Sequence, residues 1–523
     1  MTIGNLLAGR LQVLGLIITV ALATSAHVGT SNASFDGPAG PYGVRVIIRT
    51  PGVVPGLAQI SIRVTSGENI DQVSVRPLRW DVGLEGAPPP DIAEAVVGDP
   101  DLYAAELWLM TSGSYSVQIN ISGSEGTGTA FVPVMAVAEE RLEMHPAMGI
   151  GLLGAAVFLF VGAITVFGAA FRESVLEPGE LADSKRHRQA HIAMIIGGLV
   201  LVVTAWGGWT WWENVDETYM NQIYRPFSTS STLSITEPNA VLRLTIDDPA
   251  WGGRDWSPLM ADHGKLMHMF LVKSADSSVF AHLHPTASDS ASFEVNIPPL
   301  PAGQYRIYGD IVLESGSAQT LVDTVDVPHE VASREPVLSL APSVEVNGPT
   351  TDGSAQNSLQ PLSRDPDDSW ARLLPFGTST AGSYQLPSGR MVRWESYGDV
   401  AMVDQETTLR FSVSEIDGKP AALETYMGML SHAAVSRDDG SVFVHLHPSG
   451  SINMAAQMRF QHQESTGLSQ EMMPLASDRE TATPTGRIAF PFVFPTPGPY
   501  RIFVQIKVSG EVETAAFDLS VDE

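Results

Sequence analysis

The chain has 523 residues, with 58 Asp and Glu against 30 Lys and Arg, a net charge of -28 and no cysteine. That length exceeds what one hydrophobic core supports, so several domains are expected, and the negative charge argues against binding nucleic acid phosphates. Without cysteine there is no disulfide, thiolate zinc site, iron–sulfur cluster or Cys-ligated blue-copper centre, so any metal must sit on His, Met, carboxylate or backbone oxygen.

Residues 1–26 read as a secretory signal: Arg10 precedes an apolar run over 11–23, which ends in Thr24, Ser25 and Ala26. The run is shorter than the roughly 20 residues that span a bilayer, so cleavage after Ala26 is expected, leaving His27 at the new N-terminus. Residues 27–140 form a first β-rich module, with strands expected at 44–50, 59–64, 105–110 and 115–122. Two apolar stretches follow, 146–171 and 192–212, each long enough to cross a membrane and free of ionisable side chains.

The connection between them, 172–191, holds Lys185, Arg186 and Arg188, whereas Glu139, Glu140, Glu143, Glu213, Asp216 and Glu217 flank the outer ends. The positive-inside rule therefore puts this loop in the cytoplasm, and Trp206, Trp209, Trp211 and Trp212 suit an aromatic belt at the outer interface. The pair reads as an anchor in the cytoplasmic membrane, with the β-rich modules on its outer side.

A second module is expected over 228–331, a linker rich in Ser, Pro, Asp and Gly over 332–382, and a third module over 383–523. Short strands at this spacing predict a mainly β fold of three immunoglobulin- or cupredoxin-like sandwiches around the two helices. The modules read as diverged copies. Gly113-Ser114-Tyr115, Gly303-Gln304-Tyr305 and Gly498-Pro499-Tyr500 open corresponding late strands, and Arg306-Ile307 matches Arg501-Ile502.

Seven of the thirteen histidines fall in two segments that are also copies of one another: 262–285, DHGKLMHMFLVKSADSSVFAHLHP, and 426–448, YMGMLSHAAVSRDDGSVFVHLHP. Each reads as a β-hairpin. A turn at Asp439-Gly440 sets His432 opposite His447, and a turn centred on Asp276 sets His268 opposite His284. Alternation along a strand then places His282 beside His284, and His445 beside His447, on one face. Five residues before the paired histidine, the second module has His263 where the third has Met427.

Spacing thus predicts two ligand sets, His263, His268, His282 and His284, then Met427, His432, His445 and His447, with Met429 close by. Imidazole suits Cu(II) or Zn and thioether suits Cu(I), so the second module is expected to favour the oxidised ion and the third the reduced one. An insertion in the third module adds Met454, Met458 and His462 as further candidates, together with Met472 and Met473. For these the competing reading is packing, since Met is an adaptable core filler. Packed histidines copied by duplication are likewise the alternative for the two clusters.

The exported sandwich, the His and Met ligand set and a histidine exposed by signal cleavage resemble periplasmic copper-handling proteins of the CopC and YtkA-like kind. The resemblance covers the sandwich modules, not the membrane hairpin or linker. It implies copper binding or delivery, with His27 the one residue carried over. The reading is a non-catalytic copper protein that buffers the ion or passes it to a membrane oxidase, exporter or other membrane complex. The rival is a structural or assembly subunit whose histidines are incidental. An enzyme ranks third, because no Ser-His-Asp, P-loop or dinucleotide motif is apparent.

Overall fold

The computed structural model describes residues 32–142, 144–177, 179–236, 239–251, 258–332, 365–378, 380–465 and 486–523. The signal, His27, Met472 and Met473 lie outside them, as does most of the expected linker. The described chain is mainly β, with multiple sheets and two long apolar helices.

The first module has eight strands, β1 (Ala33–Ala39), β2 (Tyr42–Arg49), β3 (Gly56–Ser66), β4 (Ile70–Arg79), β5 (Asp91–Val96), β6 (Asp99–Leu109), β7 (Gly113–Gly123) and β8 (Gly126–Ala136). They hydrogen-bond in the order β1-β2-β3-β6-β5-β4-β7-β8. Alternation in β3 sends Ala58, Ile60, Ile62 and Val64 inward. The two ends of the path meet where β1 runs into Gly128, at which a Cβ would stand 1.9 Å from the Ala39 carbonyl oxygen.

Two helices form a separate unit, Ala138–Tyr224: α1 (Pro146–Glu173) and α2 (Ser184–Gln222). His145 and Asp183 cap their N-termini by accepting from Ala147 N and Arg186 N. Both are long and apolar enough to cross a membrane, with mean hydropathies of 2.5 and 2.0. The second starts inside the expected 172–191 loop and runs beyond residue 212, because nothing in 213–222 breaks a helix. At the open end, Tyr224 N donates to Ala138 O at 2.7 Å and Arg141 pairs with Asp216 at 3.1 Å.

The second module sets one sheet of β9 (Thr229–Thr236), β10 (Asn239–Ile246), β14 (Thr286–Ala287) and β15 (Ser292–Asn296) against another. The other holds β11 (Leu259–Met260), β12 (His268–Lys273), β13 (Val279–Leu283), β16 (Gly303–Leu313) and β17 (Ala318–Val327), and the short helix α3 (His329–Ala332) closes the module. Within the expected linker, β18 (Ser369–Arg372) adds to the free edge of β13. Its Ser and Asp content looks like solvated linker, yet it seals a sheet edge and brings carboxylates to the histidines.

The third module pairs a sheet of β19 (Ser383–Gln385), β20 (Met391–Trp394), β22 (Glu406–Ser414) and β25 (Arg487–Val493) with one of β21 (Ala401–Met402), β23 (Ser431–Arg437), β24 (Phe443–Leu446), β26 (Gly498–Val508) and β27 (Glu511–Asp522). Between β24 and β25 lies α4 (Met454–Ser465). The repeated Gly-x-Tyr is a tyrosine corner: Tyr305 OH donates to Pro301 O at 2.7 Å, Tyr500 OH to Thr496 O at 2.8 Å, and Tyr115 OH lies 3.0 Å from Thr111 Oγ1.

The modules are not independent beads. The hairpin sheets of the second and third pack face to face, which is why β12, β13, β23 and β24 are buried on both sides. Met269 and Leu271 enter their own sandwich core, whereas Phe270 and Val272 join the core of the third module. The contact is a pseudo-two-fold: Tyr308 stacks on Phe443 at 4.1 Å, and its equivalent Phe503 stacks on Phe280 at 4.3 Å.

Candidate metal centre

Both hairpins have the register that their turns demand. Met269 pairs with Leu283 and Ala433 with Leu446, so His268 and His432 stand opposite His284 and His447. His282 shares their face, since it pairs with Phe270 and stacks on that ring at 4.2 Å. Because these faces meet across the module contact, the seven histidines form one continuous cluster, six of them buried and His263 half-buried. His445 lies at its middle, with ring centroids 5.3 Å from His268, 5.4 Å from His282, 5.5 Å from His432 and 4.6 Å from His447.

His268, His282 and His284 bring one ring nitrogen each to within 4.8 Å of one another. Their partners fix the tautomers of His268 and His284. The Asp262 carbonyl, 3.2 Å away, accepts from His268 Nε2, and the Gln505 side-chain amide lies 2.9 Å from His282 Nδ1. Asp368 Oδ1, at 3.0 Å, accepts from His284 Nδ1. His268 Nδ1 and His284 Nε2 must then carry lone pairs. His268 Nδ1 and His282 Nε2 lie at hydrogen-bond distance, 3.1 Å, and His284 Nε2 is buried without a hydrogen-bond partner among the described residues.

A buried ring nitrogen left without a partner is costly unless a cation takes up its lone pair. Ligands about 2.0–2.1 Å from a tetrahedral ion stand roughly 3.3 Å apart, close to the observed contact. Outer partners that hold imidazoles in this way are the usual supports of metal ligands. Burial, followed by neighbouring imidazoles, keeps His268, His282, His432 and His445 well below the ordinary histidine range. It takes His447 down to about 3, with His263 the next cause. All five are therefore in the neutral form that binds metal.

One expected assignment is corrected. His263 does not group with His268, His282 and His284; its ring nitrogen lies within 4.8 Å of those of His432 and His447 in the third module. It sits on a turn, Asp262 to Lys265, closed by reciprocal backbone bonds of 2.8 Å, with φ of +50° at His263 and +80° at Gly264. Tyr426 to Met429 forms the matching turn, with φ of +49° at Met427 and +78° at Gly428. Both are type I′. The turns abut, since a Cβ on Gly428 would lie 3.8 Å from His263 Nδ1.

Met427 is buried in its turn and Met429 is half-buried at the end of the same turn. Met454 and Met458 do share α4, but that helix has structural work: Phe460 meets Trp80 edge-on at 5.0 Å and Gln457 donates to the Phe131 carbonyl. Met454 Sδ lies 3.6 Å from Ser449 Oγ, Met458 is exposed, and His462 is on the last turn.

Four supporting residues escaped the reading by spacing. Asp262 opens the first segment, Asp368 directly precedes β18, and Asp310 and Gln505 stand opposite His268 and His432 on β16 and β26. A signal existed for the last two, each a polar residue interrupting an apolar run at the same place in the repeat. Asp310 lies 3.9 Å from His445 Nδ1, and burial raises its carboxyl to about 7. The turn after His447 is held from the first module, where Asp36 N donates to Ser449 O at 2.8 Å and Ser451 N to Ser34 O at 3.0 Å.

Comparison with solved structures finds low-identity likenesses. They include a tetra-tandem repeat from the extending region of a large adhesion protein (9% identity, 91% of this chain and 72% of that one, TM-score 0.15). Salmonella alpha-2-macroglobulin (10%, 95% and 24%, 0.18) and the chicken CNTN1 FN1-FN3 domains (8%, 93% and 99%, 0.14) are others. At these TM-scores they carry no argument about function. No curated protein matches the chain. Residues 387–523, which take in the third module's HLHP segment, match the model of a domain of unknown function, DUF8832.

Proposed function

We propose that the protein is a membrane-anchored metal-binding protein of the outer side of the cytoplasmic membrane, and that its cargo is copper, buffered or passed to a membrane partner. The observation that carries the reading is the convergence of ring nitrogens of His268, His282 and His284 within 4.8 Å of one another, with His284 Nε2 buried and without a hydrogen-bond partner among the described residues. Incidental packed histidines would be expected to hydrogen-bond one another or their surroundings, because unpaired buried nitrogens are costly. An all-imidazole set accepts Cu(II) and Zn alike. The signal-like N-terminus, the absence of thiolate and the resemblance to copper-handling sandwiches favour copper and export. Two apolar helices with a basic connection supply the anchor.

The test is metal content and affinity of the full chain purified in detergent, with Cu(I), Cu(II) and Zn(II) each titrated against a competing chelator. Stoichiometric metal is expected, lost or weakened at least tenfold in His282→Ala and His284→Ala. Unchanged affinity in both variants would leave the structural-subunit reading in its place.

A further inference from the structure

We propose that the cluster takes two ions, and that the second is held by His432 and His447 of the third module together with His263 of the second, so that loading ties the two sandwiches together. This rests on the metal-binding reading and goes beyond it in number, ligand set and consequence. An ion bonded at about 2.1 Å can join nitrogens no more than about 4.2 Å apart. The His268, His282 and His284 nitrogens form one close group and the His263, His432 and His447 nitrogens another. No close group among the described residues merges them, and the rings of His263 and His268 are 6.2 Å apart. One ion cannot serve both.

His263 is built to cross. The Asp262 carboxylate accepts from Asn453 Nδ2 at 3.2 Å and Ala455 N at 3.1 Å, at the start of α4 in the third module. Its carbonyl meanwhile accepts from His268 of the first trio. One residue thus fixes the backbone that presents His263 to the other module. The residue itself is held at φ +50°, a conformation that non-glycine residues adopt at a cost and keep where the surroundings enforce it. His263 Nε2 and both ring nitrogens of His432 are buried with no hydrogen-bond partner among the described residues.

Two adjacent cations need nearby negative charge, and carboxylates ring the cluster. Asp368 touches His284, while Asp262 and Asp310 lie 3.9 Å from nitrogens of His263 and His445. A fourth, Asp365, is paired with Lys265. His445 stands between the trios with its Nε2 unpartnered, though its ring nitrogens join neither close group.

The experiment counts copper on the full chain in detergent for wild type, His263→Gln, His447→Gln and His284→Gln, and follows hydrogen exchange of β12, β13, β23 and β24 with and without metal. Wild type should bind two equivalents and each variant one, with the remaining equivalent in His263→Gln serving as the check that it has folded. Metal should protect all four strands in wild type, and at least tenfold less at β23 and β24 in His263→Gln. Two equivalents at native affinity in His263→Gln would overturn the proposal. One equivalent in wild type, lost in His284→Gln and untouched in His263→Gln, would overturn it while sparing the copper reading. No equivalent in wild type would overturn both.

Discussion

Asp310 and Gln505 occupy the same place in the two copies of the late strand, and each reaches a histidine of the opposite sandwich. Gln505 Oε1 is 2.9 Å from His282 Nδ1, and Asp310 Oδ2 is 3.9 Å from His445 Nδ1. The Gln505 amide also lies 3.1 Å from the Tyr426 hydroxyl and 2.7 Å from Ser369 Oγ, which hold it against His282. Gln505→Leu should therefore release the His282 ring without emptying the site. Copper affinity at the His268, His282 and His284 trio should fall about 10- to 100-fold, read by chelator competition. An unchanged constant would mean that the hydrogen bond plays no part in tuning the ligand.

The exchange of His263 for Met tests the ion preference expected from the thioether at Met427. Since His263 faces His432 and His447, His263→Met should retain two equivalents and shift one of them toward Cu(I). Parallel titrations against Cu(I)- and Cu(II)-specific chelators read the shift. Identical preferences before and after the change would remove the softness argument.

Acid should destabilise the metal-free protein. The unfolded histidines titrate near 6.5, while burial keeps five of the cluster below that value, so below about pH 6.5 the unfolded chain binds more protons than the folded one. Stability is thus full above this range and is lost as pH falls, down to about 3 for His447. Each such histidine raises the unfolding constant about tenfold per pH unit within its window. Chemical unfolding between pH 7.5 and 5 measures the slope, and a flat profile would mean that the imidazoles are solvated.

Gly450 separates the seating of β1 from simple backbone strain. A Cβ there would lie 2.0 Å from the Ser34 carbonyl oxygen, at φ +115°, whereas Gly510 has φ +79° and nothing within 4 Å. Gly450→Ala should cost roughly 1–3 kcal/mol, and clearly more than Gly510→Ala. Thermal melts of the two variants decide the matter, equal losses meaning that β1 yields freely.

For topology, a Ser184→Cys variant in the otherwise cysteine-free chain should react with a membrane-impermeant thiol reagent only after the membrane is opened. Labelling of intact cells would place the helix connection outside.

The hairpin registers were legible because Asp439-Gly440 and the polar residues around Asp276 mark turns, and a marked turn fixes every pair after it. The repeated Gly-x-Tyr was legible for a similar reason, as a local motif with one geometry. The crossing of His263 was not. Nearness in sequence assigns it to His268, five residues away, whereas the I′ turn and the Asp262 contacts with α4 turn it toward another module. Asp368 was hidden because a polar, aperiodic stretch carries no register of its own until β18 finds the edge of β13.

The reciprocal stacks, Tyr308 on Phe443 and Phe503 on Phe280, have the form of an isologous contact, the kind a two-fold homodimer makes. In a homodimer every substitution is made twice, so both halves of a shared site are bound to stay alike. Joining the halves in one chain lifts that restriction. Asp310 against Gln505, and His263 against Met427, are places where the tandem halves have diverged while the symmetric aromatic frame around them has kept its shape.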